Sequence, residues 1–120
     1  MKLHHVQVSC PEGGEDAARI FYGELLGIPE VEKPPALARR GGCWFRGDGV
    51  EIHVGVEDRF SPAKKAHPAF VLDDVATLEE LAGRIEAAGL PVTWDDDFPG
   101  YRRFHCADGH GNRVELLAGP

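Results

Sequence analysis

The sequence lacks the features of a membrane-spanning or secreted protein. No apolar run approaches the ~20 residues that a membrane-spanning helix needs, and the first residues contain no apolar segment typical of a signal peptide. The three cysteines, Cys10, Cys43 and Cys106, are widely spaced, which favours reduced thiols over a disulfide framework. We therefore expect a cytoplasmic protein that has no membrane partner.

Positive charge is also scarce. The 120 residues include 13 Lys and Arg against 20 Asp and Glu, which gives a net charge of −7. The basic pairs Lys64-Lys65 and Arg102-Arg103 are too small to form a nucleic-acid surface, so we expect no nucleic-acid partner. A chain of this length can form a core by itself, and we expect one domain over residues 1–120.

Glycine and proline separate the remaining sequence into two similar halves. Apolar periodicity predicts helices at 15–26 and 76–88, a short strand near Val31, and strands at 3–9, 42–46, 50–56, 67–72, 92–94, 101–106 and 113–117. Both halves therefore follow the order strand, helix, weak strand, strand, strand. We expect an α+β fold of two βαβββ modules, with module one at 1–56, a polar linker at 57–66 and module two at 67–120.

The two halves also share landmarks that lie 62 positions apart. The matched pairs are His5 with His67, Gly27-Ile28-Pro29 with Gly89-Leu90-Pro91, Gly47 and Gly49 with Gly109 and Gly111, and His53 with Glu115. One offset shared by turns, strand starts and a helix end indicates an internal duplication.

The offset pairs four possible metal ligands. Strand alternation places each of them opposite the apolar residues of its strand, so two sheets that curl together would bring the four side chains to one cavity. Three imidazoles and a carboxylate suit a divalent first-row metal such as Zn, Ni, Mn or Fe, whereas a soft site would recruit cysteines. The predicted ligands are His5, His53, His67 and Glu115. On an octahedral ion they leave two positions for water or substrate oxygens.

Other polar residues of these strands are candidates for catalysis and substrate binding. His4 is the alternative to His5, but its parity places it with the apolar residues that pack on the helix. Glu51 shares the face of His53 and is a candidate general base. The predicted substrate-binding residues are Gln7, Tyr101, Arg103 and His105. A solvated strand edge is the alternative interpretation for the last three.

Several of these motifs together resemble a known family. The duplication, the openings Leu3-His4-His5-Val6 and Ala66-His67-Pro68, and the closing Gly111-Asn112-Arg113-Val114-Glu115-Leu116 are similar to the vicinal oxygen chelate superfamily. That superfamily includes glyoxalase I, extradiol dioxygenases, fosfomycin-resistance enzymes and bleomycin-resistance proteins. The resemblance covers nearly the whole chain and implies a curved, half-barrel sheet around a cavity, with the four predicted ligands at the family's ligand positions.

The resemblance implies a metal-dependent enzyme of the glyoxalase type, a lyase or isomerase. Its substrate would be a small oxygenated molecule that chelates the metal, and Glu115 and Glu51 would move the proton. Glyoxalase I usually has a glutamate at the position of His53, whereas extradiol dioxygenases and fosfomycin enzymes match His5, His67 and Glu115.

Three alternatives to the glyoxalase-type enzyme stay open. They are an Fe(II) extradiol-type dioxygenase, a metal-free ligand-binding protein of the bleomycin-resistance type, and a thiol transferase that acts on an epoxide. The family also implies a homodimer.

Overall fold

The computed structural model describes residues 1–119, and their contacts separate the chain into two compact units. The boundary lies between Pro62 and Ala63, inside the polar segment predicted as the linker. No helix among these residues is long and apolar enough to cross a membrane.

Module one contains a four-stranded sheet and one main helical segment. Its elements are β1 (Val6–Cys10), α1 (Glu15–Ala18) continued by a π-helix (Arg19–Leu25), β2 (Glu30–Val31), α2 (Pro35–Ala38), β3 (Cys43–Gly47) and β4 (Val50–Val56). The strand order is β1-β4-β3-β2, in which β1 runs parallel to β4 and the other pairs are antiparallel.

Module two repeats this topology. Its elements are β5 (Ala69–Leu72), α3 (Val75–Ala87), β6 (Thr93–Asp95), β7 (Arg102–Ala107) and β8 (Arg113–Ala118). The order is β5-β8-β7-β6, with β5 parallel to β8 and the other pairs antiparallel. Two four-stranded mixed sheets with few helices confirm the predicted α+β class and the βαβββ order of both modules.

Helix α3 packs on one face of its sheet, as its apolar stripe predicts. Leu78, Leu81, Ala82 and Ile85 are all buried, and the helix contacts β5, β7 and β8. Val114 and Leu116 of β8 are buried as well. Because side chains alternate along a strand, Glu115 lies on the opposite face of this sheet.

Four local predictions differ from the structure. The helix expected at 15–26 is α-helical over only four residues and then becomes a π-helix, with Leu26 N donating to the carbonyl of Phe21. The adjacent Phe21 and Tyr22 of this segment are both buried. Residues Pro35–Ala38, outside the two helices that periodicity predicts, form α2. The helix predicted at 76–88 begins one residue earlier, at Val75, and its N-cap is Asp74, whose carboxylate accepts from Thr77 N.

The fourth difference affects the site directly. Strands β1 and β5 begin at Val6 and Ala69, later than predicted, so His5 and His67 precede their strands instead of lying within them. Backbone bonds still hold the second of these segments beside β8, since Glu115 N donates to the carbonyl of Pro68 at 3.0 Å.

A buried polar turn positions the start of β8. The Asp108 carboxylate accepts from His110 N at 2.9 Å and from Asn112 N at 3.0 Å. The Asn112 amide donates to Asp108 Oδ2 at 2.9 Å and accepts from Ala63 N at 3.0 Å. Asn112 is only 2% exposed. It therefore connects the β7–β8 turn to the chain segment that leads to His67.

We predict that Asn112→Ala lowers the free energy of unfolding by about 2–3 kcal/mol, because Ala63 N and Asp108 Oδ2 each lose the hydrogen bond that the Asn112 side chain makes with them. Urea denaturation measures this change. The matched control is Asp48→Ala in the exposed β3–β4 turn, which we expect to shift stability by less than about 0.5 kcal/mol. Equal losses in the two variants would contradict this role of Asn112.

Candidate metal centre

Three metal-ligating side chains meet on the polar face of module two. His67, His105 and Glu115 each offer one donor atom, and these atoms all lie within 4.8 Å of one another. His67 Nε2 is 3.5 Å from Glu115 Oε2, and His105 Nε2 is 3.5 Å from Glu115 Oε1. Two imidazoles and a carboxylate form a donor set that suits a divalent first-row metal.

The backbone orients the His67 ring. Its Nδ1 lies 2.8 Å from the carbonyl of Lys65 and donates to it, because a carbonyl can only accept. In the neutral ring the free lone pair is then on Nε2, the nitrogen that faces Glu115. Metal-binding histidines are commonly oriented in this way by the ring nitrogen that does not bind the ion.

His105 reaches the cluster because β7 pairs with β8. The register places His105 directly opposite Glu115, on the side of the sheet away from α3. Burial, helped by the nearby charge of Arg113, lowers the pKa of His105. A neutral imidazole has a lone pair available for a metal, so this environment favours binding.

Glu115 is a buried carboxylate whose charge is balanced by an arginine. It is 5% exposed, and Arg103 Nη1 donates to its Oε1 at 2.5 Å. Arg103 Nη2 also donates to Asp95 Oδ2 at 3.0 Å. The bond to Glu115 is the largest cause that raises the pKa of Arg103. An isolated carboxylate is unfavourable in a buried position, so the ion pair with Arg103 compensates for the burial of Glu115.

In module one, His53 lies between two aromatic rings. Its imidazole stacks on Trp44 with centroids 3.8 Å apart and on His5 with centroids 3.9 Å apart. His53 Nε2 is 2.8 Å from Glu51 Oε2, and the residue is 5% exposed. Burial is the largest cause that lowers the pKa of His53, and the bond to Glu51 opposes it.

Glu51 is engaged on both carboxylate oxygens. Arg46 Nε donates to Oε1 at 2.6 Å, and His53 contacts Oε2. First Arg46 and then His53 lower the pKa of Glu51 to about 2. A carboxylate with so low a pKa accepts a proton poorly at neutral pH, so its surroundings do not favour the general-base role predicted for it.

A second group of three possible donors also lies in module one. His4, His5 and Glu51 place their donor atoms within 4.8 Å of one another, with His4 Nδ1 and His5 Nδ1 only 2.8 Å apart. Both histidines are exposed. His53 does not belong to either group of three, although it contacts both His5 and Glu51.

The four ligands predicted from the sequence thus lie two in each module. The structure brings His5 and His53 together as stacked rings, and His67 and Glu115 together as facing donor atoms. Their union in one four-ligand site remains a prediction. Two of the predicted substrate-binding residues, Arg103 and His105, contact Glu115. Tyr101 is 38% exposed and lies beside Phe98. Gln7 is exposed on β1, opposite His53.

His105 is not among the ligands predicted from the sequence, because it has no partner at the offset of 62. In the structure Trp44 lies opposite His53 as His105 lies opposite Glu115, so the matching residues of β3 and β7 are 61 positions apart. The connection from His105 to Glu115 is one residue longer than that from Trp44 to His53, which shifts the offset. The signal in the sequence was the distance to the glycine turn, since Gly47 is three residues after Trp44 and Gly109 is four residues after His105.

The comparisons with known proteins agree with this architecture. The sequence model of the Glyoxalase/Bleomycin resistance protein/Dioxygenase superfamily matches residues 2–116. No curated protein matches the chain in sequence. A solved structure from Bacillus anthracis, described as a glyoxalase family protein, is 42% identical, with a TM-score of 0.92 over 100% of this chain and 96% of that one.

More distant solved structures share the fold. Lactoylglutathione lyase from Agrobacterium tumefaciens is 22% identical, with a TM-score of 0.74 over 99% of this chain and 95% of that one. The fosfomycin resistance protein FosX from Listeria monocytogenes is 19% identical, with a TM-score of 0.79 over 100% of this chain and 94% of that one. The chain belongs to the Glyoxalase/Bleomycin resistance protein/Dioxygenase superfamily, which confirms its resemblance to the vicinal oxygen chelate enzymes.

Proposed function

We propose that this chain is a divalent-metal-dependent enzyme of the glyoxalase type, a lyase or isomerase acting on a small oxygenated substrate that chelates the metal. The observation that carries the proposal is the group of His67, His105 and Glu115 in module two, with donor atoms within 4.8 Å of one another. One of the three is a carboxylate that is 5% exposed. Buried carboxylates of this kind are found mainly where they are paired or bind a metal.

The chemistry of the donors favours a borderline or hard ion such as Zn, Ni, Mn or Fe. Imidazole and carboxylate suit these metals, while a soft ion selects thiolates. The cysteines are unsuited to that role, because burial raises the pKa of Cys106 to about 12 and that of Cys43 to about 11. All three cysteines are buried within their modules.

When bound, the ion supplies Lewis-acid polarisation of a substrate oxygen. The residues of the chain orient the reactants. Lys65 fixes the ring of His67, and Arg103 holds the carboxylate of Glu115 on the polar face of the sheet. We assign proton transfer to Glu115, since it lies among the donors and Glu51 has a pKa of about 2. His5 and His53 are the proposed ligands from module one.

Similar structures support a metal and a small oxygenated ligand. A variant of FosX from Listeria monocytogenes has been crystallised with Mn(II) and 1S,2S-dihydroxypropylphosphonic acid. It is 20% identical to this chain with a TM-score of 0.80. Lactoylglutathione lyase, by its name, is a lyase on the same fold. We extend these two properties, a divalent ion and lyase chemistry, to this chain as part of the proposal.

A second candidate is an Fe(II) extradiol-type dioxygenase. The specific observation in its favour is the composition of the module-two group, because two histidines and one carboxylate are the donor set of many non-haem Fe(II) oxygenases. A metal-free ligand-binding protein of the bleomycin-resistance type is the alternative outside enzymes. A homodimer, as the family implies, is part of the proposal and is tested by light scattering after gel filtration.

We predict that the purified protein binds about one equivalent of a divalent metal through the module-two group. His67→Ala and Glu115→Ala should each weaken metal binding by at least ~100-fold, since even outer-shell changes cost 10–100-fold. Elemental analysis and isothermal titration calorimetry measure this. His110→Ala, a histidine in the β7–β8 turn, is the control and should bind like the wild type. Metal below about a tenth of an equivalent in the wild type would reject the metalloenzyme and favour the ligand-binding protein.

The four-ligand prediction makes a separate claim about module one. If His5 and His53 are ligands, His5→Ala and His53→Ala should each reduce metal affinity by at least ~10-fold. Trp44→Phe is the matched control, because it keeps an aromatic ring against His53 without offering or removing a donor. Unchanged affinity in both histidine variants would restrict the metal site to module two.

The reaction class is tested by oxygen consumption. We expect the Fe(II)-loaded protein to take up no oxygen with a panel of catechols beyond the rate of Glu115→Gln, because a glyoxalase-type reaction moves protons and uses no oxygen. An oxygen electrode together with product absorbance measures this. Stoichiometric oxygen uptake with ring cleavage, lost in Glu115→Gln, would establish the dioxygenase instead.

A further inference from the structure

Arg103 has a position that metal ligation alone does not explain. Its guanidinium bridges two carboxylates, Glu115 through Nη1 and Asp95 through Nη2. Its Nε is buried and has no hydrogen-bond partner among the described residues. The side chain is nonetheless 20% exposed. The guanidinium therefore has donors that its two protein partners do not use, and part of it reaches the open polar face of module two.

The guanidinium of Arg103 and a metal ion would both bind the carboxylate of Glu115. Arg103 contacts Glu115 Oε1 at 2.5 Å, and this oxygen is also 3.5 Å from His105 Nε2. Glu115 Oε2 faces His67. The Glu115 carboxylate carries a single negative charge. A divalent ion held by the two histidines and Glu115 neutralises that charge and therefore weakens the attraction between Glu115 and Arg103.

A bound ion also reverses the local charge. Without the ion, the two negative charges of Asp95 and Glu115 exceed the positive charge of Arg103 by one. With the ion, the same face becomes positive, and Arg113 adds to this because it lies two residues before Glu115 on β8, on the same side of the sheet. A positive, partly buried face attracts anions and binds them more strongly than open solvent allows.

We propose that Arg103 is a metal-dependent anion-binding group, and that the substrate is therefore a small organic acid with an oxyanion beside its metal-chelating oxygens. Metal binding loosens the hold of Glu115 on the guanidinium, which then donates to a carboxylate or similar oxyanion of the substrate. This inference rests on the metal site of the proposed function. It makes binding ordered, with the metal first and the anion second.

The neighbours of Arg103 fit such a subsite. The Phe98 ring lies 5.4 Å from Arg103 Cζ, and Tyr101 contacts Phe98 with ring centroids 4.7 Å apart. These rings are 41% and 38% exposed, so they are open to a ligand. Aromatic rings beside a guanidinium limit its hydration and strengthen its hydrogen bonds to an anion.

The proposal predicts two opposite effects of one substitution. Removing the guanidinium should weaken binding of an anion, and it should strengthen metal binding because Glu115 loses a competitor. A residue that only supports the fold or orients Glu115 would weaken both. Because binding linkage is reciprocal, the anion should also raise the metal affinity by the same factor by which the metal raises the anion affinity.

The test is isothermal titration calorimetry of lactate and of propane-1,2-diol, which have similar shapes but differ in charge. Each is titrated into the metal-free protein and the Mn(II)-loaded protein. We expect lactate to bind the loaded protein at least ~10-fold more tightly than the metal-free protein, and at least ~10-fold more tightly than the diol. Equal affinities for lactate and the diol in the loaded protein would overturn the proposal.

The variants separate Arg103 from its surroundings. Arg103→Met should abolish the preference for lactate and raise Mn(II) affinity by about 3–10-fold, whereas Arg103→Lys should keep part of the preference. Arg102→Met is the matched control, since Arg102 lies on the other side of β7 over Trp94, 4.1 Å from the ring centroid. A fall in Mn(II) affinity in both Arg103 variants would overturn the proposal. If the wild-type protein does not bind Mn(II), the metal site of the proposed function is rejected instead.

Discussion

The burial of one carboxylate imposes the arrangement of the polar face in module two. Glu115 is 5% exposed, and an isolated carboxylate is very unfavourable in such a place. Arg103 supplies the compensating charge, Asp95 holds Arg103 from the other side, and His67 and His105 complete the surroundings. A divalent metal ion is the further partner that we propose for these donors.

The two modules share a backbone and differ in what they place at equivalent points. Where β8 carries Glu115 opposite His105, β4 carries His53 opposite Trp44. The core also differs at matching positions. Cys43 faces Val54 in module one, and Phe104 faces Leu116 in module two. One module therefore presents stacked rings and the other presents converging donors. The two modules share one topology, and different residues at a few strand positions make their polar faces chemically different.

Much of the fold was predictable because strand and helix periodicity are local. The stripe of α3, the strand Val50–Val56 and the βαβββ order follow directly from the spacing of apolar residues. The π-helix over Arg19–Leu25 was not predictable, because the spacing of its buried Phe21 and Tyr22 is also that of an ordinary α-helix face. For the site, the pairing of His67 with Glu115 was predicted and the membership of His105 was not, since one extra turn residue moved β7 out of the repeat offset.

The sequence by itself determined the fold class, the duplication and the residue types capable of holding a metal, because these depend on composition, periodicity and repeated spacing. Only the tertiary structure decided which donors converge and how each is charged. It paired Arg103 with Glu115, engaged Glu51 with Arg46 and His53, and turned His67 towards Glu115 through the carbonyl of Lys65. The contacts Arg103–Glu115 and Arg46–Glu51 join different strands, and the distances between such residues follow from packing and register, which a linear pattern does not contain.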